Sequence, residues 1–480
     1  MPNLSDITVD HETKKVISSD LAWHYRILPH RVTSDYLELF IEDSKSNKGL
    51  HDELEIVLGR KIKLISCEAS TIEKALALHY VRNVTKTEDQ RISKVEISQK
   101  DFVSELITEA RLLKSSDIHI EIYEQKCRIR LRIDGKLAER IVLNKAEYPA
   151  LINKIKIMAG MDISERRLPQ DGRIFFNRSG LKFDIRVSVL PTLHGEKIVL
   201  RILGNNAAEI NLSELGLSTV DYSRYSESIR KPNGIVLISG PTGSGKTTTL
   251  YATLKLLNKE TDNILTVEDP IEYTLEGINQ VQVKEDIGLS FSKALRTFLR
   301  QDPDVIMVGE IRDTETANLA IRAALTGHLV LSTIHTNSAW GTISRLIDMG
   351  IPSFLLANTL NATLAQRLVR LLCPHCKQKV FANEQIFPTS FKHKNVIKEH
   401  FIAKGCKECF FTGFKGRKAI YEVIPVDNHV SDFILSNAKN VSDYFRSQRI
   451  KTLQESALEV LINGETSIEE IYPFLLDEQY

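Results

Sequence analysis

No apolar run in this chain of 480 residues comes near the roughly 18 residues that a membrane-crossing helix needs. Residues 1–15 are polar and mixed in charge, so no secretory leader is expected there. A charge excess is missing too: 63 Lys and Arg face 62 Asp and Glu, a net charge of +1. Nothing global therefore demands nucleic acid, an anionic membrane or an acidic substrate. Cysteine is scarce, with Cys67, Cys127, Cys373, Cys376, Cys406 and Cys409. Without an export signal these are expected to be reduced. Low-complexity tracts and internal repeats are absent. What remains has ordinary globular composition and is too long for one core, so two to four domains are expected.

The most informative stretch is Gly240-Pro241-Thr242-Gly243-Ser244-Gly245-Lys246-Thr247, which reads G-x-x-x-x-G-K-[ST]. The apolar run 235–239 precedes it and has strand length. Residues 248–257 follow with apolar side chains at helical spacing. Strand, glycine loop and helix is the order a phosphate cradle requires. Glycines let N–H groups turn inward, and the helix N-terminus adds its positive dipole end. Lys246 would reach the β- and γ-phosphates, and the Thr247 hydroxyl would hold Mg²⁺. The competing reading is a Gly/Ser-rich surface loop, which the flanks do not favour.

Other acids and histidines fall after apolar runs. Glu268-Asp269-Pro270-Ile271-Glu272 follows the run 264–267; alone it could be a charged turn. Residues 304–310 resemble a Walker B strand, with Gly309 where the Mg²⁺-binding Asp normally lies and Glu310 as the remaining acid for Mg²⁺ or the attacking water. His328 and His335 bracket the strand-like run 329–334 and are candidate γ-phosphate sensors. Strands alternating with helices predict an α/β fold with a mainly parallel sheet, whose ligands sit beyond the strands' carboxyl ends.

The chain before residue 206 divides into two modules. Residues 1–95 read as a small α/β unit: a strand-like stretch over 32–41, helices over 50–58 and 72–80, and a charged linker over 84–96. Residues 97–205 show a helix over 102–113, another over 148–158 and alternating strands, with Asp134-Gly135 as a hairpin turn. Arg186 and Arg201 lie on the polar faces of two of those strands, and pattern alone makes that a solvated sheet face.

Cys373-x-x-Cys376 and Cys406-x-x-Cys409, separated by residues 377–405, form a tetrahedral Cys₄ zinc pattern. A redox pair would come singly, and the lack of basic excess favours a structural staple over a nucleic-acid finger. Ser467-Ile468-Glu469-Glu470 reads as a capping box opening the last helix.

Together these residues resemble the secretion ATPase family: type II secretion assembly ATPases (general secretion pathway protein E) and type IV pilus extension ATPases. The resemblance spans 100–480. It rests on Ser116-Asp117-Ile118-His119-Ile120-Glu121, Arg167-Leu168-Pro169-Gln170-Asp171-Gly172-Arg173, the "Asp box" Thr266 to Glu272, the unusual Walker B Gly309-Glu310-Ile311-Arg312-Asp313, and the "His box" from Thr326 to Asn337. It implies a RecA-like P-loop core over 206–480 with a Cys₄ subdomain at 371–418, preceded by an α+β (PAS-like) domain at 97–205 and a recruitment module at 1–95. Retraction motors of the family lack the Cys₄ subdomain and the first module. The implied catalytic set is Lys246, Glu272, Glu310, His335, Arg186 and Arg201; the last two reverse the solvated-face reading. ATP would lie on residues 240–247 with Thr248, Glu268 and His328, together with Mg²⁺, and Zn²⁺ would sit on the cysteines. The implied assembly is a cytoplasmic homohexamer, peripheral on the inner face of the bacterial inner membrane. It would hydrolyse ATP to drive pilus or pseudopilus assembly through a platform protein and a recruitment protein, with no nucleic acid. The competing classes are a RecA-like hexameric nucleic-acid translocase, which calls for a basic channel and stacking aromatics not seen here, and a nucleotide-binding scaffold without turnover, against which Glu272 and Glu310 argue.

Overall fold

The computed structural model describes residues 16–17, 21–22, 25–33, 36–43, 48–69, 71–72, 75–76, 102–178, 180–203, 210–381, 386–388, 391, 397–438 and 441–476. The chain separates into two compact units, Met1–Ser93 and Lys94–Tyr480.

In the first unit β1 (Ile27–Val32) pairs antiparallel with β2 (Leu37–Glu42), which runs parallel to β3 (Ile62–Cys67); α1 (Lys48–Leu58) connects the last two. The stretch 32–41 was expected as one strand. It is broken: β1 ends at Val32 and β2 begins at Leu37, and the Thr33 N–H and hydroxyl both donate to the Tyr36 carbonyl, at 3.0 and 2.8 Å. The linker expected over 84–96 lies outside the described residues, as does most of the helix expected over 72–80.

The second unit begins with an antiparallel sheet and two helices. Its strands are β4 (Asp117–Ile122), β5 (Lys126–Ile133), β6 (Lys136–Asn144), β7 (Gln170–Arg178), β8 (Leu181–Thr192) and β9 (Gly195–Ile202), ordered β6-β5-β4-β9-β8-β7. Strand alternation sends Ile118, Ile120 and Ile122 into one core with Phe102, Leu106 and Ile107 of α2 (Phe102–Leu112) and Leu151 and Ile155 of α3 (Tyr148–Met158). The other face carries Asp117, His119 and Glu121 beside Arg128, Arg130 and Arg132.

The remainder is built on seven strands: β10 (Gly234–Ser239), β11 (Ile264–Glu268), β12 (Asn279–Gln282), β13 (Val305–Val308), β14 (Leu329–Ile334), β15 (Leu360–Leu372) and the later edge strand Phe414–Pro425. The order is β12-β11-β13-β14-β10-β15, then the edge strand. All pairings are parallel except the one between β15 and the edge strand. Helices cover both faces: α4 (Thr219–Ile229), α5 (Lys246–Leu257), α6 (Phe291–Phe298), α7 (Thr314–Leu325), α8 (Ala339–Asp348) and α9 (Ser353–Thr359). Continuous apolar strands follow from this two-sided burial. In β10, Ile235 and Leu237 enter one core and Val236 and Ile238 the other.

Between β15 and the edge strand the chain makes the cysteine-bearing ribbon of β16 (Gln378–Phe381) and β17 (Glu399–Ile402); the edge strand is β18. Four helices close the unit: α10 (Asn428–Leu435), α11 (Ser442–Ser447), α12 (Leu453–Ile462) and α13 (Ile468–Leu476). The capping box expected at Ser467 does not form. Glu470 instead bonds the Arg370 guanidinium and backbone N–H, and the Ser467 hydroxyl, buried, has no partner. A capping box does form one helix earlier, where Thr452 and Glu455 bond reciprocally at the start of α12. Among the described residues no helix is long and apolar enough to cross a membrane.

Candidate functional site

Because β10, β11, β13, β14 and β15 run parallel, their carboxyl ends share one edge of the sheet. The loop 240–245 leaves β10 at that edge. Gly240 and Gly245 have φ of +149° and +89°, and a Cβ at Gly240 would stand 2.6 Å from the Gln366 carbonyl oxygen. The loop can therefore lie against β15 only as glycine. Gly245 precedes α5 without a side chain to cap it. Helix geometry then leaves the N–H groups of Lys246, Thr247 and Thr248 without intrahelical acceptors. The buried Ser244 hydroxyl has no hydrogen-bond partner either. Unused donors around a glycine cradle are what an oligophosphate would satisfy.

Lys246 folds over the loop, its Nζ donating to the carbonyls of Gly240 (2.7 Å) and Pro241 (3.1 Å). Burial pushes its ammonium below the usual value; Glu310 opposes that shift and Arg367 adds to it. Thr247 is exposed beside it and Pro241, Thr242 and Gly243 line the mouth, also exposed. Glu310 follows β13 and His335 follows β14, with His335 Nε2 3.4 Å from one Glu310 oxygen and Arg312 on the other. Burial would raise the Glu310 carboxyl, but Arg312 first and His335 second override it and hold it below the carboxylate range.

The acids of the stretch 268–272 separate. Glu268 ends β11 buried; Tyr251, Thr266 and Gln280 all donate to its carboxylate, so its link to the phosphate loop runs through Tyr251 on α5. Glu272 is exposed. Arg186 of β8 donates from Nη2 to the Ile271 carbonyl at 3.0 Å, one residue from Glu272. Arg201 is its direct cross-strand neighbour on β9 and is paired with Asp117 of β4. His328 is not brought to this edge. It precedes β14, about 20 Å of strand from His335, and its Nδ1 lies 2.9 Å from the Ala323 carbonyl at the end of α7.

Two further residues at this edge carry no sequence motif. Gln366 and Arg367 of β15 border the loop: Gln366 accepts from the Thr249 hydroxyl at 2.8 Å, and Arg367 donates to the carbonyls of Gln366 (3.0 Å) and Asn337 (2.9 Å).

The four cysteine Sγ atoms lie within 4.8 Å of one another. The Cys373–Cys406, Cys376–Cys409 and Cys406–Cys409 separations are 3.9, 3.7 and 3.8 Å. Tetrahedral Zn–S bonds of about 2.3 Å imply sulfur–sulfur edges of about 3.8 Å, so the donor set fits zinc.

A family model described as Type II/IV secretion system protein matches residues 93–473. The chain belongs to that family. An MshEN domain model matches residues 1–85. Type II secretion system protein E of Pseudomonas aeruginosa is 46% identical over 390 residues, covering 81% of this chain and 78% of that protein. The type IV pilus assembly ATPase PilB of Myxococcus xanthus is 40% identical over 496 residues, covering 98% and 88%. Among solved structures, the pilus retraction motor PilT with bound ADP aligns with a TM-score of 0.53 at 27% identity, covering 78% of this chain and 97% of that one. The ATPase DotB of Legionella pneumophila shares the fold, with a TM-score of 0.58 at 23% identity, covering 78% and 95%. The family is one of secretion and pilus ATPases, and the chain is a P-loop ATPase of it.

Proposed function

We propose that this ATPase is the homohexameric motor of a pilus- or pseudopilus-building machine, working in the cytoplasm on the inner face of the inner membrane through a platform protein. Residues 206–480 act as the ATPase domain, 97–205 as the domain that carries Arg186 and Arg201 to the nucleotide, 1–95 as the recruitment module and 371–418 as a zinc-stapled subdomain. The observation that carries this reading is Arg186 bonded to Ile271, which sets a guanidinium of the second domain beside the loop that ends in Glu272.

In the reaction, the loop N–H groups and Lys246 bind the β- and γ-phosphates, with Pro241 to Gly243 at the mouth and Ser244 inside. Water attacks the γ-phosphorus, the new P–O bond forms as the bond to the ADP oxygen breaks, and the water proton passes to carboxylate. Glu310, held by Arg312 and His335, orients that water, and Glu272 stands where Arg186 arrives. Charge neutralisation does most of the catalysis in phosphoryl transfer, which is the use for Lys246 and the two arginines. Mg²⁺ would be held by Thr247 and would supply further neutralisation of the phosphates. Zn²⁺ on Cys373, Cys376, Cys406 and Cys409 would serve the fold alone.

The test is an ATPase assay on the purified chain, with light scattering for its mass and vesicles of anionic lipid or single-stranded DNA added in turn. A hexamer stimulated by the lipid and indifferent to DNA supports the reading. Stimulation by DNA alone overturns it in favour of a translocase.

A further inference from the structure

The arginines of the second sheet stand in one line. Cross-strand register places Arg132, Asp117, Arg201, Arg186 and Arg173 side by side on β5, β4, β9, β8 and β7. Like charges directly opposite each other destabilise a sheet, and Arg186 faces arginine on both sides. Arg173 has Asp184 to itself, at 2.8 Å. Asp117 is different: buried, with a side chain 7% exposed, it takes two guanidiniums at once. Its Oδ1 accepts from Arg201 Nε at 3.0 Å, its Oδ2 faces Arg132 Nε at 3.2 Å, and the Ser116 hydroxyl donates to Oδ2 at 2.9 Å.

The grip on Arg201 is at Nε only. Its two amino groups make no hydrogen bond among the described residues, and its side chain is 63% exposed. A guanidinium held by Nε keeps one orientation while its outer edge stays open to an anion. Arg132 leaves the trio with a net positive charge, so the carboxylate does not cancel the field of Arg201.

We propose that Asp117 is a positioning residue that aims Arg201 at the phosphoryl group, with Arg132 as the counter-charge that lets it do so. This rests on the reading of Arg201 as a nucleotide arginine. Asp117 touches no substrate; it fixes the angle at which Arg201 arrives. A misplacement near 1 Å at such a group costs on the order of a hundredfold in rate.

The experiment compares Asp117→Asn, Arg201→Ala, Arg201→Lys and the Asp117→Asn/Arg201→Ala double variant in the full chain. It reads kcat and KM for Mg·ATP, with melting temperature as the check on folding. Asp117→Asn is expected to lower kcat about ten- to a hundredfold with KM changed only a few-fold. The double variant should be no slower than Arg201→Ala. Arg201→Lys, an exposed change that keeps the charge but has no Nε to grip, should turn over like Arg201→Ala. Positioning is overturned if Asp117→Asn keeps its kcat, if it slows the Arg201→Ala background by the same factor as wild type, or if the lysine restores turnover. Wild-type kcat in Arg201→Ala overturns the arginine assignment itself and this proposal with it, a pattern distinct from the other three.

Discussion

His335 Nε2 lies 3.4 Å from Glu310 Oε2, so the residues that follow β14 and β13 meet where Glu310 also acts on Lys246. The contact exists because the two strands are hydrogen-bonded neighbours in register, Val308 opposite Ser332. Arg312 holds the other Glu310 oxygen. A carboxylate fixed from both sides can orient a water without reorganising.

The chemistry of that edge gives the first prediction. Lys246→Ala removes the main cation of the loop, and turnover should fall below detection. Glu310→Gln keeps the shape of the side chain but loses the charge that Lys246, Arg312 and His335 all sense. A fluorescent ATP analogue should still bind this variant, with hydrolysis stalled. Phosphate release near the wild-type rate from either purified variant would remove these residues from the site.

Much of this edge could be read in the sequence because the chemistry is local. The glycine loop must be contiguous to wrap a phosphate, and the parallel strands announce their ends by apolar runs that stop at Ser239, Glu268, Glu310 and His335. What could not be read is long-range. β15 hides its strand character by burying Asn361, Thr363 and Gln366 on a sheet covered on both faces, so the alternation that marks a half-buried strand is missing. Gln366 and Arg367 lie on that strand and share its missing signal. His328 looked equivalent to His335 because both flank one strand, yet a strand's two ends lie on opposite edges of the sheet. Glu470 looked like a cap until β15 brought Arg370 to it.

Glu121 sets a pH dependence. Burial alone would raise its carboxyl, but hydrogen bonds from Arg130, Arg128 and Lys197 prevail and hold it down to about 2. A depressed native value means the stabilisation is complete above the unfolded carboxylate value of about 4.3 and disappears as pH falls through about 2. Glu121→Gln, which removes the carboxylate charge that Arg130, Arg128 and Lys197 share, should destabilise by about 1–3 kcal/mol at neutral pH. The gap in melting temperature between variant and wild type should close as the pH is taken from about 4.3 downward. A gap that stays constant with pH would show that the carboxylate's charge contributes nothing.

The cysteine cluster should hold one zinc per chain by elemental analysis. Binding energy at such a site is folding energy. Chelation should therefore raise hydrogen exchange in β16, β17 and the start of β18 before it affects β10 or β14. A chelated protein whose exchange rises uniformly, or a reduced protein with no zinc, would count against the assignment.

Arg186 makes the last prediction, and it concerns the coupling of domains. The second sheet also touches the cysteine-bearing region: Asp134 accepts from the Gly416 N–H at 2.8 Å, and the Arg140 guanidinium lies 5.6 Å from the centre of the Phe410 ring. Those contacts anchor one end of the sheet, and Arg186 on Ile271 anchors another. Arg186 is the one arginine of its row that bonds a backbone carbonyl instead of a carboxylate, so it gives up little when a phosphate offers a stronger partner. An arginine arriving at a transferring phosphoryl group is worth about 10³–10⁵ in rate where it has been measured. Arg186→Ala should cut turnover steeply while nucleotide affinity stays within a few-fold, because ground-state binding rests on the loop and Lys246. Turnover per chain should also rise with protein concentration, since the proposed assembly would hold the second sheet where Arg186 can reach. Full activity in Arg186→Ala would mean that the site completes itself without this arginine, and turnover per chain that is flat with protein concentration would mean that it does so without assembly.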